Sequence, residues 1–245
     1  QTTLEEINAA QIPCLTVLNK VDLLPDPERA REMAAQGARL ALVSTNARKL
    51  QSQADALNLE AGRVMTHAAD LTGADAAAQA VAAVRQAFGR VDVLLHLGGG
   101  WTGGRSLTEG DPADLDEMIQ QHVWTTLYLA QAVVPLMLSN GWGRIITVSS
   151  PSAVRPAARG GFYAAGKAAQ DALVLTLARE LSGTGVTANV LQVRTIDTGH
   201  ERDQARSDKN ASWTTPEEIT AAALYLCSDA ASVVNGARIP LYGAA

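Results

Sequence analysis

The sequence contains few cysteines and no long apolar run. Cys14 and Cys227 are the only two cysteines, and they lie far apart in apolar surroundings. This predicts reduced core thiols and no disulfide or metal site. No apolar run approaches the ~20 residues of a membrane-spanning helix, and no signal-peptide pattern is present. We therefore expect a soluble, cytoplasmic protein with no membrane partner.

The sequence also lacks an excess of basic residues. It has 20 Lys and Arg against 25 Asp and Glu, a net charge of −5, and no basic cluster. This argues against a nucleic-acid partner. Aromatic residues make up only 4% of the chain, while alanine and glycine are abundant, as close packing of helices on a sheet requires. A length of 245 residues suits one α/β domain with a large core.

Residues 143–173 form the most informative stretch of the chain. Residues 144–148 are a β-branched apolar run that predicts a buried strand, and Ser150 follows it. Prolines and glycines then mark a loop, and an alanine-rich helix begins near Tyr163. Tyr163 and Lys167 are four residues apart and therefore share one helical face.

Acid–base chemistry is one interpretation of this pattern. A phenol has a pKa near ~10, and a neighbouring ammonium group would lower it. The Ser150 hydroxyl would then bind the reacting oxygen of a carbonyl or alcohol. The alternative is that Tyr163 packs in the fold and Lys167 is solvated. The spacing of thirteen residues from Ser150 to Tyr163, with a strand before and a helix through it, favours the chemical interpretation.

Residues 37–243 resemble the short-chain dehydrogenase/reductase family, on the Ser…Tyr-x-x-x-Lys pattern of Ser150, Tyr163 and Lys167. The resemblance implies a doubly wound parallel sheet, an NAD or NADP cofactor, hydride transfer to or from a small-molecule substrate, and catalytic roles for these three residues. His122 aligns with an asparagine that holds a proton-relay water in the family, and we count it as a fourth catalytic candidate. His96 ends a predicted strand, and either a structural or a catalytic role is open to it.

The resemblance also implies a set of cofactor-binding residues: Asp70, Gly98, Gly99, Tyr163, Lys167 and Thr198. Asp70 occupies an adenine-contacting position, although it could equally be the N-cap of the next helix. The glycines after the fourth strand would leave room for a ribose. The choice between NAD and NADP stays open with a lean towards NADP, because no acid follows the second strand and Arg48 lies slightly later.

The glycine-rich turn that binds the cofactor pyrophosphate in this family is missing. Its place is taken by NKVDLLPD, residues 19–26, which contains no glycine and two carboxylates, Asp22 and Asp26. Branched side chains and negative charge both oppose a dianionic pyrophosphate. We therefore expect the dinucleotide to bind weakly or not at all, and the enzyme to be impaired.

Residues 1–36 carry a second resemblance, to the Asn-Lys-x-Asp region of ribosome-associated P-loop GTPases. In that family the positions of Asn19 and Asp22 read the guanine base. No Gly-x-x-x-x-Gly-Lys-Ser/Thr phosphate loop accompanies them. Two families joined near residue 37 suggest an engineered or recombined chimera, with a natural, drifted reductase as the alternative.

The expected fold is α/β: a single, doubly wound, mostly parallel, Rossmann-like sheet of about seven strands with helices on both faces. Three functions remain open: a reductase with an altered cofactor turn, a non-catalytic scaffold or binding protein, and a guanine-nucleotide binder. Residues 199–211 are polar and predict a mobile lid. Helices are predicted within residues 2–12 and 27–37 and from Asp111 to about residue 138. Thr215 and Glu218 predict a capping box at the start of a later helix.

Two of the predicted helices are apolar on more than one face, and this surplus apolar surface predicts a homodimer or homotetramer. The apolar residues concerned are Leu127, Leu129, Val133, Val134, Leu173, Val174, Leu175 and Leu177.

Overall fold

A computed structural model describes residues 15–18 and 38–242. The strands are β1 (Leu15–Leu18), β2 (Leu40–Ser44), β3 (Val64–Ala68), β4 (Val93–His96), β5 (Gly143–Ser149), β6 (Val186–Gln192) and β7 (Arg238–Pro240). The α-helices are α1 (Ala47–Leu57), α2 (Ala74–Phe88), α3 (Pro112–Ile119), α4 (Thr125–Asn140), α5 (Gly161–Glu180), α6 (Glu201–Gln204) and α7 (Pro216–Cys227). A π-helical turn, Gln120–Trp124, joins α3 to α4, and two 3₁₀ turns occupy Pro151–Ala153 and Asp229–Ala231.

The strands form one seven-stranded sheet in the order β3-β2-β1-β4-β5-β6-β7. Every pair of neighbouring strands is parallel. The chain therefore builds the sheet outwards from β1 in one direction, then returns and continues from β4 in the other. This arrangement is a doubly wound α/β fold, and it confirms the predicted fold class.

The alternation of side chains along each strand divides the core into two layers. On one face, Ile146 and Leu191 pack with residues of α1 and α7. On the other face, Ile145 and Val190 pack with residues of α2, α4 and α5. Helices therefore cover both faces of the sheet, which explains why every residue of the strands β4, β5 and β6 is buried.

Helix starts are set by local capping. Asn46 caps α1 by accepting a hydrogen bond from the Lys49 amide, and Thr215 caps α7 in a complete capping box with Glu218. The capping box at Glu218 was predicted from the sequence and is confirmed. Helix α1 was not predicted, because its mean composition is polar and only Leu50 and Leu57 are buried in it.

The long helix predicted from Asp111 to about residue 138 is interrupted. Asp111 caps α3, but the chain widens into the π-helical turn at Gln120–Trp124 before α4 continues. An inserted residue in a helix shifts the faces on either side of it, and such turns are frequent at functional sites. Two further predicted helices, within residues 2–12 and 27–37, lie outside the described residues.

Candidate active site

Ser150 and Tyr163 meet at the carboxyl end of β5. Ser150 directly follows the strand, and its Oγ accepts a hydrogen bond from the Ser152 amide at 3.2 Å. Tyr163 lies in the first turn of α5, and its phenol is hydrogen-bonded to the Ser150 side chain. The structure thus brings together two of the predicted catalytic residues.

The surroundings of Tyr163 keep its phenol protonated. Burial raises the pKa of Tyr163 above its usual value, and the charge of Asp171 acts in the same direction, while the hydrogen bond to Ser150 lowers it. The phenol is therefore a proton donor at neutral pH. The net shift is opposite in direction to the one expected from Lys167, because desolvation is the largest effect on the phenol.

Lys167 is buried one helical turn beyond Tyr163, with 5% of its surface exposed. Its Nζ donates to the Val148 carbonyl oxygen at 2.8 Å and to Gln170 Oε1 at 3.0 Å. A buried ammonium group needs such acceptors, because losing its hydration is costly. The alternative interpretation of Lys167 as a solvated surface residue is therefore wrong.

His122 lies in the π-helical turn and faces Tyr163. The two rings make an edge-to-face contact, with centroids 5.6 Å apart and planes inclined by 75°. His122 Nε2 lies 3.0 Å from the Gly100 carbonyl oxygen. Since a carbonyl oxygen only accepts, Nε2 carries the proton in this contact. All four predicted catalytic residues thus lie at one site.

Two glycines make room for the His122 imidazole. A Cβ at Gly99 would overlap the ring, and a Cβ at Gly166 would lie 3.0 Å from the Met118 carbonyl oxygen and 3.1 Å from His122 Cδ2. Gly166 therefore lets α5 approach the π-helical turn closely. The space that a side chain at Gly99 would take is filled by the protein's own histidine, while room for a ribose beside the glycine backbone stays a prediction.

The remaining predicted cofactor residues lie on separate loops at the same edge of the sheet. Gly98 follows β4 and is buried, Asp70 follows β3 and is exposed, and Thr198 follows β6 and is exposed. Asp70 Oδ1 accepts from the Thr72 amide at 3.0 Å and from its hydroxyl at 2.8 Å. The N-cap of α2 is Gly73, so the alternative interpretation of Asp70 as a helix cap is wrong.

The edge that holds these residues lies where doubly wound folds bind dinucleotides. The direction in which successive strands are added to the sheet reverses between β1 and β4, and doubly wound folds bind such ligands in the crevice at the carboxyl ends of these strands. The first turn of α1, beside this crevice, contains no acidic residue, and Arg48 is exposed there. Residues 19–26, which replace the glycine-rich turn, lie outside the described residues.

Three buried polar residues were missed or left open by the sequence. His96 Nε2 lies 3.2 Å from the Thr125 hydroxyl, which supports a structural role for His96. Gln170 and Thr126 contact the Lys167 network and were not predicted at all. The sequence carried one signal for Gln170: it is an amide three residues after Lys167, on the same face of an otherwise alanine-rich helix.

The segment predicted as a lid is anchored at its base. Asp197 is buried, and its carboxylate accepts from the amides of Glu201 and Arg202 at 2.9 and 2.8 Å. Burial alone would raise the pKa of Asp197, but these hydrogen bonds and nearby positive charge leave it lowered. Arg202 in turn binds the Trp213 carbonyl oxygen and Glu218. A short helix, α6, forms within the segment.

Residues 15–18 and 38–242 contain neither a membrane-spanning helix nor a metal-binding cluster. No helix of this part of the chain is long and apolar enough to cross a membrane. No group of three or more His, Cys, Asp or Glu side chains in it is arranged to hold a metal ion. Cys227 is a free, buried thiol, and burial raises its pKa to about 12.

Comparisons with known proteins agree with this geometry. A family model described as enoyl-(acyl carrier protein) reductase matches residues 28–243. The D-threitol dehydrogenase of Mycolicibacterium smegmatis is 31% identical over 229 residues, covering 87% of this chain and 85% of that protein. A solved 7α-hydroxysteroid dehydrogenase, complexed with NADH and 7-oxo glycochenodeoxycholic acid, is 25% identical, with a TM-score of 0.82 and 96% of each chain covered. A mutant short-chain dehydrogenase/reductase from Serratia marcescens is 27% identical, with a TM-score of 0.81, covering 96% of this chain and 98% of that one.

The matches bear on the proposed junction of two families. The family model begins at residue 28, inside the segment that resembles a GTPase, and not at residue 37. No comparison supports a GTPase origin for that segment or a chimera. Apart from β1, residues 1–36 lie outside the described residues, and β1 occupies the centre of the sheet, between β2 and β4.

Proposed function

Because the chain belongs to the short-chain dehydrogenase/reductase family, we propose that it transfers a hydride between a nicotinamide cofactor and a small carbonyl or alcohol substrate. The observation that carries this proposal is the half-buried Tyr163 phenol beside Ser150, one helical turn from the buried Lys167. Such a pair suits a reaction in which a carbonyl oxygen gains a proton as its carbon gains a hydride.

Each of the three residues has a distinct part in the proposed reaction. Tyr163 holds the proton at Oη and passes it to the carbonyl oxygen. The Ser150 hydroxyl, already bonded to that phenol, turns to the same oxygen and orients it. The Lys167 ammonium stabilises the phenolate left behind, because positive charge close to a developing anion lowers the barrier. In the oxidation direction the phenolate accepts the alcohol proton.

The cofactor would lie in the crevice at the carboxyl ends of β1 and β4. When bound, it supplies or accepts the hydride. Asp70 would contact the adenine end, Gly98 and Gly99 the middle of the crevice, and Thr198 with Lys167 the nicotinamide end. We propose a preference for NADP, which the absence of an acid from the first turn of α1 and the exposed Arg48 support.

His122 takes a supporting part. Its ring edge lies against Tyr163, and its Nε2–H is held by the Gly100 carbonyl oxygen. We assign it the wall of the site beside the phenol, where it limits the orientations open to Tyr163. A fixed donor geometry matters because a misplacement of about 1 Å can cost ~10²-fold in rate.

The test is carbonyl reduction with NADPH and with NADH, followed by absorbance, over a panel of ketones and the reverse reaction on polyols such as D-threitol. Tyr163→Phe removes the transferable proton and keeps the ring. We expect it to lower the rate by ~10²–10⁴-fold, with little change in stability.

Tyr225→Phe is the matched control, since Tyr225 is 51% exposed on α7, outside the site. It should leave the rate unchanged. If the Tyr163→Phe variant were as fast as the parent, Tyr163 would not be the proton donor. Absence of turnover with every member of the panel and both cofactors would contradict the proposed activity itself.

A further inference from the structure

A chain of buried hydrogen bonds connects Lys167 to the π-helical turn. Lys167 Nζ donates to Gln170 Oε1 at 3.0 Å, and Gln170 Nε2 donates to Thr126 Oγ1 at 3.0 Å. The Thr126 hydroxyl donates in turn to the His122 carbonyl oxygen at 2.6 Å. The chain crosses from α5 to α4 and ends at the residue whose ring contacts Tyr163.

The direction of every bond in this chain is fixed by its two ends. An ammonium group can only donate, so Gln170 must turn its oxygen towards Lys167 and its amide nitrogen away. A backbone carbonyl can only accept, so the Thr126 hydrogen points at His122 and the Thr126 oxygen is left to accept from Gln170. No alternative orientation of the amide satisfies both ends, and aligned bonds of this kind strengthen one another.

Burial makes the chain costly to break. Gln170 is 0% exposed, Lys167 5% and Thr126 6%. Gln170 lies on the buried face of the alanine-rich helix α5. A leucine at this position would supply the same apolar packing. The chemical contribution of Gln170 is an acceptor for the ammonium group and a donor to the neighbouring helix.

We propose that Gln170, supported by Thr126, is the positioning residue for Lys167. Gln170 fixes the ammonium group relative to the π-helical turn, so that Lys167 and the His122 ring hold constant places on either side of Tyr163. The proposal rests on the proposed function for its effect on rate. Its structural part, the restraint on the ammonium group, needs neither cofactor nor substrate.

The restraint can be measured by NMR of the lysine ammonium groups in protein labelled with ¹⁵N-lysine. The chain has only four lysines, at positions 20, 49, 167 and 209, and the Lys167 signal is the one missing from Lys167→Met. A buried, hydrogen-bonded ammonium gives a sharp signal with slow proton exchange. We expect Gln170→Met, which keeps the length of the side chain, to broaden or abolish that signal. Thr126→Val should accelerate its exchange.

Thr125→Val is the matched control. Thr125 lies in the same helix and is only 1% exposed. Its hydroxyl also donates to the carbonyl oxygen four residues back, that of Gln121, at 2.6 Å, but it faces His96 and not Gln170. It should leave the Lys167 signal unchanged. Gln170→Glu keeps an acceptor oxygen and should retain the signal. A Lys167 signal as sharp in Gln170→Met as in the parent would overturn the proposal.

The rate measurements form a second arm. With a substrate from the panel, Gln170→Met should lower kcat ~10–10²-fold while KM for the carbonyl changes little. Gln170→Glu should restore most of kcat and extend activity to higher pH, since a carboxylate favours the charged ammonium. Loss of the NMR signal without loss of kcat would overturn the link to catalysis. If the parent itself shows no turnover, the proposed activity fails, and the NMR arm alone decides the positioning role.

Discussion

The contact between Gly99 and His122 offers a sharp test of the site geometry. Gly99 has a φ of +121°, and a Cβ there would overlap the His122 ring, which is 0% exposed. Gly99→Ala therefore meets two separate penalties. A disfavoured backbone conformation costs ~1–3 kcal/mol, and forcing extra volume into a packed site costs ~1–3 kcal/mol. Together they predict a loss of about 2–6 kcal/mol in the free energy of unfolding.

Gly104→Ala separates the two penalties. Gly104 has a φ of +97°, and a Cβ there would meet nothing within 4 Å, so this variant carries only the backbone cost of ~1–3 kcal/mol. The packing cost is isolated by combining Gly99→Ala with His122→Ala, which removes the ring. The double-mutant cycle should then show a favourable coupling of ~1–3 kcal/mol.

Urea unfolding of the four cycle members at one protein concentration measures these free energies. Fixed concentration matters because self-association would add to the apparent stability. Additive effects of the two substitutions, with no coupling between them, would show that the His122 ring does not occupy the space beside Gly99. That result would also contradict the edge-to-face contact of the His122 ring with Tyr163.

Three further predictions concern the cofactor, the phenol and assembly. Calorimetric titration should give weak binding of NADH and NADPH, because residues 19–26 replace the glycine-rich turn, and no binding of GTP; a low-micromolar dissociation constant for either dinucleotide would contradict the weak binding, and no binding of either would contradict the proposed hydride transfer. Because the pKa of Tyr163 is raised, alcohol oxidation should increase with pH to beyond the usual phenol value and carbonyl reduction should decline over the same range; identical profiles in the two directions would refute this. Light scattering should show a dimer or tetramer formed through the half-buried groove that Leu127, Leu173 and Leu177 line between α4 and α5; a particle of 25.7 kDa would contradict it.

The groove also corrects the predicted interface. Of the eight apolar residues expected to be surplus, Leu129, Val133 and Val174 are buried in the core of the domain. The other five, at positions 127, 134, 173, 175 and 177, are half-buried, and those at 127, 173 and 177 line the groove. An apolar face of this kind, rimmed by polar residues, is typical of a subunit contact. Leu177→Asp is therefore expected to shift the equilibrium towards monomer, while the fold is retained.

Local sequence patterns determined most of the fold. The β-branched run before Ser150 fixed β5, Pro216 with Thr215 and Glu218 fixed the start of α7, and alternation of strands and helices fixed the parallel sheet. These features depend on a few neighbouring residues, so their physics is local. The spacing of Ser150, Tyr163 and Lys167 likewise predicted that these residues lie at one place, because a strand end and one helical face bring them together.

Only the tertiary structure decided how those residues behave. The raised pKa of Tyr163 depends on burial, which no spacing reveals, and its direction is opposite to the shift expected from Lys167 alone. The π-helical turn, the use of Gly99 to accommodate His122, and the partnership of Lys167 with Gln170 and Thr126 all join segments distant in the chain. Desolvation and close packing are properties of the assembled core, and they are set by neighbours that the linear sequence keeps tens of residues apart.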